Sequence, residues 1–184
     1  MPSTSRAEKE DILRFLAESL SFAKTLDAFP GLTIDDLREI ILTTLPGAHR
    51  LTIYIDGASR GNPGPASIGI WMRDARGKTV KKVSRTIGIA TNNVAEYQAL
   101  IIALDEAWKL GARRVDIYSD SELVVKQMGG SYRVKEPALL ELWATAKQKM
   151  ARFNQFRLHH LPRENNSEAD KLAQDALDKG GETS

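Results

Sequence analysis

The sequence predicts an α/β protein in which helices flank a five-stranded mixed sheet, with a small helical hairpin at the N-terminus. After residue 50, short runs rich in β-branched residues alternate with longer segments of helical periodicity. Their order is three strands, a helix, a strand, two helices, a strand and a final helix, which implies a mixed sheet. Before residue 50 the pattern is helical only, and a breaker at Pro46-Gly47 separates the two patterns.

Residues 1–46 are predicted to form a small α-helical domain. Apolar side chains recur at helical spacing in a first segment, at Ile12, Leu16, Leu20, Ala23 and Leu26. After a turn at Phe29-Pro30-Gly31, Thr33 is predicted to begin a second helix with Asp36 at the capping-box position. The apolar face of that helix contains Leu37, Ile40, Ile41 and Leu45. Because this hairpin is too small to be very stable alone, we expect it to pack on the main domain, to self-associate or to bind a protein partner.

The rest of the chain is predicted to consist of a linker at 47–50, a main domain at 51–180 and a tail at 181–184. Strands are predicted at 51–58, 66–73, 79–87, 113–119 and 155–161. Helices are predicted at 93–110, 121–128, 137–152 and 167–179. The strands at 51–58 and 113–119 are the most apolar, so we expect them to be central, adjacent and parallel.

An acidic residue ends each of these two central strands. Asp56 closes the apolar run 51–55, and Asp120 closes the run 115–119. Because open α/β sheets usually place their sites at the carboxyl ends of such strands, the two side chains should lie close together. Two carboxylates at low dielectric repel each other strongly unless a cation lies between them. Hard oxygen ligands with no cysteine nearby favour Mg²⁺ or Mn²⁺.

The composition excludes several other classes of protein. The 184 residues include no cysteine, which excludes disulfides, zinc-thiolate sites and thiol nucleophiles. No apolar run approaches the roughly 18 residues of a membrane span, and no signal-peptide core is seen, so we expect a cytoplasmic protein with no membrane partner. Residues 1–50 carry 6 Lys+Arg against 8 Asp+Glu, whereas residues 51–184 carry 20 against 16. The basic excess of the larger part is typical of a protein that binds a polyanion.

Four groups of residues in the main domain resemble, in order, the motifs of the type 1 ribonuclease H family. They are Asp56-Gly57-Ala58 with Gly61-Asn62-Pro63-Gly64, Thr91-Asn92-Asn93 with Glu96, Asp120-Ser121, and Glu168-Ala169-Asp170. The similarity spans roughly residues 51–178, and residues 1–46 resemble no family that we recognise. The resemblance implies a ribonuclease H-like fold. It also implies an endonuclease that cleaves the RNA strand of an RNA/DNA hybrid with two Mg²⁺ ions, for which Mn²⁺ is a possible substitute.

The resemblance implies roles for individual residues. Asp56 and Asp170 would hold the metal near the attacking water, and Asp56, Glu96 and Asp120 would hold the metal near the leaving group. Contacts to the hybrid would come from Gly57, Asn62, Thr91, Asn92, Asn93 and Ser121. Turn formation explains Asn62 equally well, and N-capping of the following helix explains the Thr91–Asn93 group.

The loop before Asp170 has two interpretations. His160 lies ten residues before Asp170, about where the family carries a histidine that assists proton transfer or product release. The strand pattern instead places His160 at the end of the last strand, as a structural or solvent-facing residue. Arg163 or Glu164 would then approach the metal-bound substrate.

Two departures from the family pattern concern residues that would bind the substrate. Only residues 129–136 separate two helices where many relatives insert a basic segment, and Glu122 stands where relatives often have an amide. A nuclease on the same fold with another substrate is the first alternative, which the four acids with Gly-Asn-Pro-Gly disfavour. A non-catalytic hybrid-binding module is the second, and the presence of all four acids disfavours it. A structural interaction protein would not explain why acids end two buried strands.

Overall fold

The computed structural model describes residues 11–13, 15, 21–44 and 50–181. The chain divides into two compact units between His49 and Arg50. Among the described residues, no helix is both long enough and apolar enough to cross a membrane.

The described residues of the first unit include the helices α1 (Phe22–Ala28) and α2 (Ile34–Thr44), and residues 11–13 and 15 are also helical. Its small core is formed by buried Ile12, Leu37 and Ile40. The predicted capping box at the start of α2 is confirmed. The Asp36 N–H donates to Thr33 Oγ1 at 3.1 Å, and the Thr33 N–H donates to Asp36 Oδ2 at 3.0 Å.

The periodicity predicts one continuous helix from Ile12 to Leu26. This prediction is wrong at Ser21, where a new helix begins. Ser21 has an extended backbone (φ −140°, ψ 117°), and its side chain caps α1 by accepting from the Lys24 N–H at 3.3 Å. A serine hydroxyl satisfies a free helix N–H, so it favours a new start over continuation. Ala23 is consequently exposed. Leu16, Leu20 and Leu45 lie outside the described residues.

The second unit is a five-stranded mixed sheet with helices on its faces, as predicted. The strands are β1 (Arg50–Ser59), β2 (Gly64–Arg73), β3 (Thr79–Ala90), β4 (Arg114–Ser119) and β5 (Gln155–His160), in the order β3-β2-β1-β4-β5. The helices are α3 (Asn92–Lys109), α4 (Glu122–Met128), α5 (Pro137–Met150) and α6 (Ser167–Gly181). A 3₁₀ turn, Arg163–Asn165, precedes α6.

The two central strands, β1 and β4, pair in parallel, which confirms the prediction made from their apolar sequences. Most predicted strand and helix bounds differ from the observed ones by one to three residues, and two of the differences move the bounds of the predicted domain. Arg50 belongs to β1 rather than to a linker, because it pairs with Arg114 and its Nε donates to Asp116 at 2.8 Å. Gly181 belongs to α6 rather than to a tail.

Alternation along the strands gives the sheet two different faces. Ile53 and Ile55 of β1 are fully buried in one core with Leu100 and Leu104 of α3. On the opposite face, Ala58 of β1 joins a smaller cluster with residues of α6. The helices α3 and α6 therefore cover opposite faces, and their N-terminal turns reach the edge at which β1 and β4 end.

Candidate active site

Three of the four predicted carboxylates meet at the carboxyl ends of the central strands. Oxygen atoms of Asp56, Glu96 and Asp120 lie within 4.8 Å of one another. Asp56 is in the last part of β1, Asp120 directly follows β4, and Glu96 is near the start of α3. Asp56 and Glu96 are each only 5% exposed. The strand topology alone brings the two aspartates together, whereas α3 must bring the glutamate to them.

Gly57 is the residue that allows α3 to approach closely enough. A Cβ atom at this position would overlap the backbone of Ala95 and Glu96, so the first turns of α3 lie directly on β1. The Gly57 N–H also donates to the Glu96 carboxylate. Gly57 is predicted from the resemblance to contact the hybrid, and in the structure it also positions a carboxylate.

The fourth carboxylate, Asp170, is placed by close packing of α6 on β2. A Cβ atom at Gly69 would overlap the carbonyl of Ala169, and Ser67 Oγ donates to the Ala173 carbonyl at 2.6 Å. Asp170 accepts from Arg163 Nη2 at 2.7 Å, and it stands outside the group of three mutually close carboxylates. Its charge still reaches that group, because it raises the pKa of Asp56.

Asn166 was not among the predicted site residues, yet it is buried at the centre of this arrangement. Its side chain is 1% exposed, and Nδ2 donates to the Ile55 carbonyl at 2.8 Å and to Asp120 Oδ1 at 3.0 Å. An asparagine just before a helix is an ordinary capping residue in a sequence. Only the contact with the strand ends distinguishes it, and the sequence carries no signal of that contact.

The site is electrostatically strained in the absence of a cation. Burial, followed by the charges of Asp120 and Asp170, raises the pKa of Asp56 to about 7. Burial and the charges of Asp56 and Asp120 raise the pKa of Glu96 well above its ordinary value. The Arg163 guanidinium lowers the pKa of both groups, but its effect is smaller than that of burial. Like charges held together away from water are costly unless a cation offsets them.

The donor set fits a hard divalent cation. All the converging ligand atoms are carboxylate oxygens, the type preferred by Mg²⁺ and Mn²⁺. Glu96 Oε2 is buried and has no hydrogen-bond partner within the described part of the chain. A buried carboxylate oxygen without a donor is costly, and a metal ion would supply the missing interaction. Asp56, Glu96 and Asp120 could therefore hold a metal, with Asp170 beside them.

An open cleft of about 600 Å³ surrounds these carboxylates. Its wall includes eight of the predicted site residues, namely Asp56, Gly57, Asn92, Glu96, Asp120, Ser121, His160 and Arg163. It also includes Ser59 and Gln174, which were not predicted. His160 is the last residue of β5, as the strand pattern predicts, and at that position it borders the cleft.

The remaining predicted contact residues lie beside the cleft rather than in its wall. Thr91 caps α3 by accepting from the Val94 N–H at 3.3 Å. Asn62 Oδ1 accepts from the Asn92 N–H at 3.1 Å, so it holds the turn between β1 and β2 against the start of α3. Asn93 is half-buried in the first turn of α3, and Glu164 is exposed in the 3₁₀ turn.

Comparison with known proteins agrees with this architecture. A family model described as reverse transcriptase-like matches residues 54–176. The ribonuclease HI of Halobacterium salinarum is 43% identical over 129 residues, which cover 70% of this chain and 65% of that protein. A bifunctional protein of Mycobacterium tuberculosis is 43% identical over 136 residues, covering 73% of this chain and 37% of that protein.

A solved structure matches this chain with a sequence identity similar to that of the sequence relatives. The crystal structure of LC11 ribonuclease H1 in complex with an RNA/DNA hybrid has a TM-score of 0.68 and 45% identity, and the match covers 71% of this chain and 98% of that chain. The chain spans only 65% and 37% of the length of the two sequence relatives. The family model nevertheless matches most of the second unit, including all four predicted carboxylates. The chain belongs to the ribonuclease H family, as its four motifs predict.

Proposed function

We propose that the second unit is an endonuclease that hydrolyses the RNA strand of RNA/DNA hybrids. The observation that carries this proposal is the group of Asp56, Glu96 and Asp120, whose oxygens converge and include a buried Glu96 oxygen with no hydrogen-bond partner among the described residues. The LC11 ribonuclease H1, which is 45% identical, was crystallised with such a hybrid. The basic excess of residues 51–184 favours a polyanionic substrate.

Four carboxylates are proposed to hold two divalent cations. Asp56 and Asp170 would hold one, and Asp56, Glu96 and Asp120 would hold the other. When bound, the cations lower the pKa of a water nucleophile and offset negative charge at the scissile phosphate and the leaving oxygen. We take Mg²⁺ as the ion, with Mn²⁺ as a substitute, because both prefer carboxylate oxygens.

The cleft walls supply groups that can contact the substrate. The start of α3, with Asn92 in the wall, offers backbone N–H groups that suit a phosphate. Ser121, which caps α4, also lies in the wall of the cleft. We propose that Asn62, Thr91 and Asn93, which adjoin the cleft, contact the hybrid where the 2′-hydroxyl groups identify RNA.

The segment after β5 carries an exposed cation at the wall of the cleft, Arg163. The Arg163 guanidinium is largely exposed, with a side-chain exposure of 72%, although one of its nitrogens donates to Asp170. A guanidinium in this position can leave Asp170 and bind a phosphate oxygen of the substrate. His160 also borders the cleft, where an imidazole could carry a proton. Glu164 is a weaker candidate for such assistance, because it is exposed outside the cleft wall.

Two predictions made from the sequence stay predictions. One is a cytoplasmic location. The other is that the helices of the first unit pack on the catalytic unit, self-associate or bind a protein partner.

The test is cleavage of an end-labelled RNA/DNA hybrid, beside single-stranded RNA, duplex RNA and duplex DNA, with Mg²⁺, Mn²⁺ or EDTA. The variants are Asp56→Asn and, as a matched control, Asp105→Asn, since Asp105 is an α3 carboxylate that pairs with Lys149 at 2.6 Å. We expect metal-dependent cutting of the RNA strand in the hybrid alone, lost in Asp56→Asn and kept in Asp105→Asn. Binding without cutting would support the non-catalytic module instead. Cutting of another substrate would support the related nuclease.

A further inference from the structure

We propose that Asn166 is a positioning residue that holds Asp120 and the start of α6 in a fixed relation to Asp56. This inference rests on the proposed function, because it concerns how the metal-binding carboxylates are oriented. Asn166 is the residue immediately before α6 and is 1% exposed.

The orientation of the Asn166 amide follows from its partners. The Ile55 carbonyl and Asp120 Oδ1, at 2.8 and 3.0 Å, can only accept hydrogen bonds. The amide nitrogen must therefore face both of them, and its two N–H groups are used. The amide oxygen, Oδ1, is left buried without a partner within the described part of the chain. The Asn166 side chain thus places two N–H donors at the strand ends, and its own amide oxygen has no hydrogen bond among the described residues.

These contacts lie where the central strands separate. Ile55 and Ser119 form the last pair of the parallel ladder between β1 and β4, and the residue that follows each of them in the chain is a site carboxylate. The backbone pairing of β1 with β4 ends at that pair, so the ladder does not extend to Asp56 and Asp120. The Asn166 amide bridges the gap, because it bonds the carbonyl that precedes Asp56 and the carboxylate of Asp120.

The backbone of Asn166 extends the same link to the fourth carboxylate. The Asp170 N–H donates to the Asn166 carbonyl at 3.0 Å, within the first turn of α6. One residue therefore connects β1, the end of β4 and the start of α6. Each of these three elements carries one of the proposed metal ligands.

A hydrogen bond to one carboxylate oxygen restricts rotation of the whole group. The bond from Asn166 to Oδ1 of Asp120 would therefore orient this carboxylate for ligation. Partners of this kind typically contribute about 10–100-fold to metal affinity or activity. We expect an effect of that size at Asn166.

The test measures Mn²⁺ binding by calorimetry with the full chain as wild type, Asn166→Ala, Asn166→Asp and Asn165→Ala. Asn165→Ala is the matched control, because Asn165 is adjacent and exposed. Asn166→Asp keeps the shape and removes at least one of the two donors. We expect Mn²⁺ affinity to fall by roughly 10–100-fold in both Asn166 variants and to stay unchanged in Asn165→Ala. The Mn²⁺ concentration that gives half-maximal cleavage should rise in parallel.

Melting in EDTA separates positioning from a purely structural role. A structural residue would lower the melting temperature of the metal-free protein without changing Mn²⁺ affinity, and that result would overturn the proposal. Failure of both Asn166 variants to fold, with a normal Asn165→Ala protein, would also overturn it. If the wild type itself binds no Mn²⁺, the proposed function fails together with this inference. Normal binding by the wild type and by both variants would refute the Asn166 proposal alone.

Discussion

Helix α3 carries two glutamates in opposite environments. Glu96, near its start, is 5% exposed, touches two other acids, and has one oxygen without a hydrogen-bond partner among the described residues. Glu106, ten residues further along, bonds Lys109 Nζ at 2.8 Å and also Lys81 Nζ. The pKa of Glu96 is raised by burial, whereas hydrogen bonds from Lys109 and Lys81 lower the pKa of Glu106.

The difference separates acids that serve function from acids that serve stability. A carboxylate at Glu106 is charged, paired and close to solvent, so its removal loses a favourable interaction. A carboxylate at Glu96 costs folding free energy in the metal-free protein, since its neighbours are acids. A protein retains such an arrangement when the strain is useful, which is why clustered unpaired acids indicate a site.

The largest effect is expected for Glu96→Gln. Cleavage of the hybrid should fall on the order of 10³-fold, about 4 kcal/mol in the activation barrier, because the metal loses a charged ligand. Melting temperature in EDTA at pH 8 should rise, because an uncharged amide does not carry the cost of burying an acid beside Asp56 and Asp120. Initial rates with Mg²⁺ and calorimetric melting test both parts. Retention of a tenth or more of the activity would contradict the assignment of Glu96.

The second largest effect is a pH dependence of stability that originates at Asp56. Its pKa is about 7 in the folded protein against 3.8 unfolded, so the folded state binds more protons between these values. Protonation of Asp56 therefore stabilises the folded state. This stabilisation is complete below pH 3.8 and is lost as the pH rises through 7. The free energy of unfolding of the metal-free wild type, relative to that of Asp56→Asn, should fall by up to about 4 kcal/mol between pH 4 and pH 8.

Melting curves of wild type and Asp56→Asn in EDTA across this pH range test the prediction. Saturating Mg²⁺ is the control, since it should stabilise the wild type most at pH 8, where Asp56 is charged. Identical pH dependences for the two proteins in EDTA would show that Asp56 does not titrate in this range.

Gly57→Ala tests the packing that brings Glu96 to the strands. The added methyl would overlap the backbone of α3, so we expect a loss of about 1–3 kcal/mol in stability and a strong loss of cleavage. Gly129→Ala is the matched control, because Gly129 has an ordinary helical φ of −75° and lies at an exposed helix end. Urea unfolding and hybrid cleavage measure the two effects. A stable, active Gly57→Ala protein would mean that α3 can shift without displacing Glu96.

The smallest effect is expected for Glu106→Gln. Exposed or partly exposed ion pairs contribute about 0.2–1 kcal/mol, so stability should fall by no more than that. Activity should remain within about twofold of the wild type, because Glu106 lies on a different turn of α3 far along the helix from Glu96. The sign is the informative part, since stability should fall here and rise in Glu96→Gln. Equal signs would remove the contrast between the two glutamates.

Much of the site was accessible from the sequence because strand ends are local features. The apolar runs that end at Asp56 and Asp120 predicted two parallel central strands, and β1 and β4 have this arrangement. The motif order predicted the family, which the comparisons confirm. Helical periodicity was less reliable in the first unit, where a serine cap at Ser21 interrupts a pattern that reads as continuous.

The strand and helix order, the mixed sheet and the acids at its carboxyl edge could all be predicted from the residues alone. These follow from hydrophobic periodicity and from the rule that parallel strands end together. The pairing of Asp170 with Arg163, and the hydrogen bonds of Asn166 to the Ile55 carbonyl and to Asp120, become visible in the folded protein and not before. Such contacts join residues far apart in the chain or depend on how a loop folds over a strand end. Their geometry is set by packing, which no local pattern encodes.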